Sequence, residues 1–373
     1  MKGHLRERSP GRWAIVIDVR DPATGRRKRK WHSFKGTKRE AQVNRAELIT
    51  ALSHGSYVER SKIAVAEFVR ARVDQWEAAG DISARTAQRY RQLVENQIAP
   101  HLGTKPLQKV SRLDVEGWHT MLRNAGITAR TIGHAHRVLG KALRDAERDA
   151  LVNRNVCRVQ RAPKVPQPEM AIVRDVPAFI TALRASARFY APAMVALFTG
   201  MRLSEVLALR WSRVNLDAKV IQVREALEQT AAHGVRFKSA KSRAGRRDIT
   251  MPDILVDCLR QHRKAALELR MQLGAGRLLD DALLFSDIGG APLPPNSTSS
   301  RFGEFADGLG MPEITFHALR HTHASQLIDA GVDIVTISKR LGHAKPDITL
   351  RIYAHLFRND DSKAAAAINA ALG

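Results

Sequence analysis

Residues 161–170, RAPKVPQPEM, hold three prolines and no helical pattern. Proline lacks a backbone N–H and biases the residue before it away from helix, so no regular element runs through this stretch. It reads as a linker. A chain of 373 residues is also long for one hydrophobic core. The expectation is therefore a multidomain protein, with bodies on either side of residue 165 and a further module at the N-terminus.

Upstream, residues 1–60 carry 15 Lys and Arg against 6 Asp and Glu. GRWAIVIDVRDPATGRRKRKWHSFKGTKREAQ predicts strand, turn, strand, helix. Trp31, Ser33 and Lys35 fall on one face of the second strand and His32 and Phe34 on the other. Thr37, with Glu40 three residues later, is a capping box for the helix. The reading is a small β-sheet plus helix module over 1–60. Its basic run, Arg26, Arg27, Lys28, Arg29 and Lys30, is placed to touch a polyanion. Residues 61–165 carry four stretches with helical apolar spacing, stopped or capped at Gly80, Ser83, Pro100 and Gly103. They predict an all-α bundle with basic outer faces.

Downstream, residues 166–373 read as mixed α+β, mostly α. Helices are expected in VPAFITALRASA and in FYAPAMVALFTGMRLSEVLALRW. Short strands follow in KVIQV and RDITM, joined by a Lys- and Arg-rich turn, and PLPPNSTSS reads as a surface loop. The Ala-rich tail NDDSKAAAAINAALG predicts a short terminal helix.

Sixty-one Lys and Arg face 37 Asp and Glu, a formal net charge of +24. Such an excess self-repels unless a polyanion is near, and nucleic acid is the expected one. The cations are spread along the chain rather than gathered in one amphipathic block, which disfavours a membrane surface. No apolar run approaches the length of a membrane span, and the N-terminus shows no signal-peptide pattern. Cys157 and Cys258 lack metal or redox spacing and fit a reducing cytoplasm.

Chemistry-bearing residues cluster in the C-terminal 200. TGMRLSEVLALRW sets Arg202 three residues before Glu205. HALRHTHASQLIDAG sets His317 and Arg320 one turn apart, with His321 four residues after His317. Two histidines at that spacing can bind zinc, but the Glu of a zinc-protease helix and further ligands are missing. His317 and Arg320 together suit a phosphate better, because a guanidinium offers a planar fork of donors. RLGHAKPDITLRIYAH adds His343 and, ten residues on, Tyr353, one of only four tyrosines.

The ordered set TGMRLSE, HALRHTHAS, LGH and Tyr resembles the tyrosine site-specific recombinases of the phage integrase family, over about 170–373. The bundle is similar to that family's core-DNA-binding domain, and the N-terminal module to its arm-binding domain. The resemblance implies that Arg202 and Arg320 hold the scissile phosphate. His317 would contact it and accept the tyrosine proton, His343 would make a further phosphate or leaving-group contact, and Glu205 would orient the neighbouring His and Arg. Tyr353 would be the nucleophile, forming a 3′-phosphotyrosine bond and freeing a 5′-hydroxyl. A general-acid lysine is expected in RFKSAKSRAGRRDITMP. Lys241 is the first candidate and Lys238 the rival, with Lys238 and Arg243 also read as DNA contacts.

The family works without metal or ATP, so no cofactor is expected. Its partners are double-stranded DNA with core and arm sites and three further copies of the chain on DNA, together with an accessory bending or directionality protein. The terminal helix would dock on a neighbouring copy. Two other readings stay open at this point: a type IB topoisomerase, and a DNA-binding regulator that has lost catalysis.

Overall fold

The computed structural model describes residues 3–20, 26–53, 57–58, 61–165, 170–239, 243–356 and 369–372. The chain divides into two compact units, Met1–Pro166 and Gln167–Gly373.

The first unit opens with strands β1 (Gly3–Ser9), β2 (Arg12–Arg20) and β3 (Arg27–Lys35), an antiparallel sheet in the order β1-β2-β3. Helix α1 (Lys38–Ser53) backs it. Ile15, Ile17 and Val19 of the central strand pack with Leu5, Phe34, Leu48, Ile49 and Leu52 into one apolar cluster. The Thr37 N–H donates to Glu40 Oε2 at 2.8 Å and the Glu40 N–H donates to Thr37 Oγ1 at 3.3 Å, closing the capping box. β1 was not anticipated. As an edge strand it turns only Leu5 to the core, and GHLRERS otherwise reads as a polar segment. The DPATG turn lies outside the described residues.

Register divides the basic run. Asp18 pairs with Arg29, Val16 with Trp31 and Ala14 with Ser33, so these share the face away from α1. Lys30 pairs with Ile17 and His32 with Ile15, on the α1 side. Lys30 Nζ lies 4.4 Å from the Tyr57 ring centroid. Arg6 pairs with Ala14, which adds it to the outer face. Ala14 and Val16 are buried there beneath their larger neighbours, and Trp31 is exposed with Arg8 over its ring.

The helices of this unit are α2 (Val65–Ala78), α3 (Ala84–Leu93), α4 (Ala99–Leu102), α5 (Arg112–Asn124), α6 (Ala129–Arg148) and α7 (Val156–Val159). Ser83, Ser111 and Thr128 cap α3, α5 and α6. Trp76, Trp118, Ile132 and Leu139 are among the side chains of the shared core. Inside it His136 Nε2 donates to the Cys157 carbonyl at 3.2 Å. Its Nδ1 therefore accepts from His119 Nε2 at 3.1 Å, and both rings are neutral. Burial holds His119 down at about 4, and the neighbouring His136 opposes a second proton in the pair.

The second unit begins with α8 (Val176–Leu183), α9 (Tyr190–Thr199) and α10 (Leu203–Val206). The long helix expected through FYAPAMVALFTGMRLSEV is two helices, because Gly200 takes the left-handed conformation at φ +68°. Strands β4 (Val214–Asn215), β5 (Val220–Val223) and β8 (Arg247–Thr250) form one antiparallel sheet. β6 (Glu225–Thr230) and β7 (Gly234–Ser239) form a separate hairpin. The strands read in KVIQV and RDITM are β5 and β8, which pair with each other, with the β6–β7 hairpin inserted between them in sequence.

Helices α11 (Asp253–Gln272), α12 (Pro295–Gly308), α13 (Phe316–Asp329), α14 (Ile334–Leu341) and α15 (Pro346–Tyr353) complete the described unit. PNSTSS, expected as loop, is the first turn and a half of α12. Pro295 at its start needs no N–H there. Phe179, Leu197, Ile249, Phe302 and Leu319 lie in the main core, while Tyr353 joins Ala324, Ile328, Ile337 and Leu341 in a smaller cluster. Of the Ala-rich tail only 369–372 is described, and it is helical.

Candidate active site

Four chain segments meet where α9 and α14 end. Each ends in a left-handed glycine, Gly200 and Gly342, and each exposes unpaired terminal carbonyls. Three guanidinium groups satisfy them. Arg320, only 2% exposed on α13, donates to the Gly200 carbonyl at 2.6 Å and the Leu341 carbonyl at 2.8 Å. Arg340 donates to the Phe198 carbonyl at 3.0 Å and the Thr250 carbonyl at 3.1 Å. Arg247 Nε donates to the Arg340 carbonyl at 2.7 Å. Carbonyls at a helix C-terminus carry partial negative charge, so cations are held there favourably.

Gly200 also redirects the chain so that Arg202 sits at the start of α10. Its backbone N–H donates to Glu205 Oε2 at 3.0 Å and its Nη1 to Oε1 at 2.9 Å. Glu205, 7% exposed, also accepts from Arg247 Nη2 at 2.8 Å. Burial alone would raise this carboxyl. The Arg247 hydrogen bonds, with the charges of Arg247 and Arg202, hold it below its ordinary value. Glu205 thus orients two arginines, and among the described residues its hydrogen bonds reach no histidine. Arg247 was passed over in the sequence. Strand alternation on β8, with Arg247 and Ile249 buried and Asp248 and Thr250 exposed, is the signal that marks it.

Arg202, Glu205 and His343 line one cleft of about 480 Å³ together with Lys238 from β7. Lys238 Nζ is bonded to Glu228 Oε1 at 2.8 Å, and Arg236 shares the same carboxylate. Lys241 lies outside the described residues; Arg243 opens the short turn Arg243–Gly245 that follows it. His343 joins the cleft to Arg320, whose Nη2 donates to His343 Nε2 at 2.7 Å. A guanidinium only donates, so Nε2 accepts and the neutral ring carries its proton on Nδ1, which donates to Thr349 Oγ1 at 2.7 Å. Burial and the Arg320 and Arg202 charges hold His343 down at about 4. Burial and the Arg202 charge pull Arg320 down to about 9, still protonated at neutral pH.

Tyr353 ends α15 and is 1% exposed. Burial raises its phenol to about 12, with the Arg320 charge acting the other way. Its hydroxyl is hydrogen-bonded to His321 Nδ1 at 2.7 Å. His317, expected at the tyrosine proton, is instead a turn away. Its exposed ring meets His321 edge-on with centroids 4.4 Å apart. Burial, His317 and Arg320 lower His321 to about 4. Among the described residues no cluster of three His, Cys, Asp or Glu gathers around these histidines.

The sequence model of the phage integrase family matches residues 173–360, which contain every side chain just described. The chain belongs to the phage integrase family. It is 22% identical over 353 residues to a "Tyrosine recombinase XerC-like" protein of Caldanaerobacter subterraneus subsp. tengcongensis, covering 89% of this chain and 90% of that one. The Tn1549 transposon integrase, solved in complex with a circular intermediate DNA, shares the fold. The TM-score is 0.69 at 20% identity, covering 83% of this chain and all of the other. Lambda integrase, solved as a tetramer bound to a Holliday junction, matches with a TM-score of 0.58 at 18% identity, covering 96% of each chain. Like these integrases, the chain is mostly helical with small sheets. Family membership makes it a DNA strand-transfer enzyme.

Proposed function

We propose that this integrase-family chain is a site-specific recombinase that integrates or excises a mobile element, breaking and rejoining DNA through a phosphotyrosine bond at Tyr353. The observation that carries the reading is the linked set Arg202, Arg320 and His343 beside a tyrosine hydroxyl, all within one unit and braced by the buried Glu205–Arg247 pair.

Arg202 and Arg320 would each donate to a non-bridging oxygen of the scissile phosphate. Charge builds on those oxygens as a fifth ligand approaches phosphorus, and fixed cationic donors in a cleft stabilise it most. Glu205 and two backbone carbonyls, those of Gly200 and Leu341, fix the two guanidinium groups in advance, so little reorganisation accompanies the reaction. His317 and His343 would add donors. The Tyr353 oxygen forms a bond to phosphorus while the bond from phosphorus to the 5′-oxygen breaks. The phenolic proton leaves to a base of the site, and a lysine of the β7 region, Lys241 or Lys238, protonates the departing oxygen. The phosphotyrosine bond conserves the phosphodiester energy, so the reverse attack by a 5′-hydroxyl reseals the strand.

The DNA grip would be spread over three regions: domain 1–60 on arm sites, 61–165 and 166–373 on core sites. The open face of the N-terminal sheet offers Arg6, Arg27, Arg29 and exposed Trp31, and a sheet of this width fits a major groove. The tetramer of lambda integrase on a junction supports the same assembly here, with the Ala-rich tail reaching a neighbouring copy. Among the described residues no helix is long and apolar enough to cross a membrane.

Nicked duplexes built from the ends of the element that carries the gene test this. Wild type is expected to form a denaturation-resistant DNA adduct in EDTA, because guanidinium groups supply the charge, and Tyr353→Phe to form none. Binding of such a duplex without any adduct would overturn the reading.

A further inference from the structure

Helix α11 outruns its core. Its buried residues, Leu255, Val256, Cys258 and Leu259, all lie in the first two turns. Beyond them Arg260, Arg263, Lys264, Leu267 and Met271 follow at helical spacing along one exposed face. The first four of these line a groove of about 890 Å³ between α11 and the sheet edge at β4, and Arg213 joins them from the turn before β4. The groove shares no lining residue with the phosphate cleft.

Four cations thus line the groove against one carboxylate, that of Asp217. None is tightly paired. Arg260 comes within 3.7 Å of Asp217 and 3.6 Å of Asp257, and Lys264 within 3.9 Å of Glu268. Arg263 lies over the Trp211 ring, 5.5 Å from its centroid. Arg213 Nη1 donates to Gln222 Oε1 at 3.4 Å, and among the described residues no carboxylate pairs with it. Elsewhere in the unit Arg224 closes on Asp248 and Arg236 on Glu228 at 2.6 Å. Cations gathered this loosely repel one another and favour an incoming anion. The groove is also apolar. Val214, Leu216 and Val220 line its sheet side and Leu267 its helix side, and Met271, 79% exposed, continues that end of the helix face. A DNA backbone offers phosphates but nothing to cover Leu267 and Met271, and a concave groove does not lie flat on a bilayer. A helix with carboxylates at one end of a face and large apolar side chains at the other matches both halves. The chain's own tail, NDDSKAAAAINAALG, has the acidic end but mostly alanines after it, which bury little area.

We propose that this groove docks an acidic amphipathic helix of a partner protein, its carboxylates on Arg213, Arg260, Arg263 and Lys264 and its apolar residues on Leu267 and Met271. The docking surface stands apart from the recombinase reading, because groove and cleft are separate.

Fluorescence anisotropy on the full-length protein at about 0.15 M salt tests it. The probe is a labelled helical peptide with glutamate at positions i, i+3 and i+4 and leucine at i+7 and i+11. Wild type is expected to bind it. The double variant Arg260→Glu, Lys264→Glu and the single variant Leu267→Ser are each expected to bind about tenfold more weakly. These side chains are exposed, and a wild-type far-UV circular dichroism spectrum reports that each variant is folded. Equal binding by wild type and variants overturns the proposal. So does equal binding of a peptide with serine in place of leucine, which makes the groove a plain anion site. Tighter binding of the tail peptide 359–373 also overturns it, by making the groove a contact between copies. Loss of duplex binding in the same variants overturns it too, by making the groove part of the DNA grip. If wild type binds the nicked duplex and forms no adduct, it is the recombinase reading that fails, and the peptide measurement still decides the groove.

Discussion

Arg247 holds the catalytic unit together at a point where no substrate atom is expected. It links β8 to α10 through Glu205 and to the end of α14 through the Arg340 carbonyl. Removing one partner of a buried ion pair leaves the other uncompensated, which costs about 3–5 kcal/mol. Arg247→Met is therefore expected to lower the urea midpoint sharply, and a shift below 1 kcal/mol would show that Glu205 finds another partner. Residue type and order singled out Arg202, His317, Arg320, His343 and Tyr353 as candidates, and the structure brings Arg320 onto His343. Their partners could not be read in this way. Arg247 stood unmarked in a basic run, and His321 was weighed as a zinc ligand and set aside. Thr349 is an ordinary helix residue until His343 is placed beside it. Partnership depends on which ends of which helices meet, and local spacing does not carry that.

At the level of elements, Gly200 and Gly342 decide the geometry. A Cβ on Gly200 would lie 2.6 Å from Leu341 Cδ2 and 2.8 Å from His323 Cδ2, and one on Gly342 would lie 2.7 Å from Arg247 Nη1. Both backbones are left-handed, which adds roughly 1–2 kcal/mol of strain for any other residue. Gly200→Ala is expected to destabilise the protein and to reduce adduct formation more than tenfold, since it displaces the turn that aims Arg202. Unchanged adduct formation would show that this turn tolerates displacement. The sequence reading carried one helix across Gly200 because apolar spacing continues on both sides of it. It read the strands of VIQV and RDIT, which pair, but missed the β6–β7 hairpin between them, because EALEQT has little strand-like alternation. Capping boxes and helix stops were legible because their signals lie within four residues.

For the whole molecule, charge and buried histidines set the response to conditions. With a net charge of +24, DNA binding should weaken steeply with salt, at roughly −0.9 in log–log slope per neutralised phosphate. A slope near zero would contradict a phosphate-led grip. Buried His119 at about 4 and His323 at about 3 are lowered first by burial, with the Arg340 charge acting further on His323. Below the ordinary histidine value of 6.5 the unfolded chain takes up protons that the folded chain does not. Their contribution is therefore full above pH 6.5 and lost as pH falls toward 4. The urea midpoint should drop across that range; a flat profile would mean these rings are charged in the folded protein. The mostly helical character with small sheets was readable from periodicity. The edge strand β1 was not, because one inward leucine is too little pattern.

The most direct test of the central claim is to map the bond. Adduct from a nicked duplex, digested with nuclease and trypsin, should yield the peptide Ile352–Arg358 carrying a nucleotide on Tyr353, joined through the 3′-phosphate. A nucleotide on any other residue, or a 5′ linkage, would contradict the account.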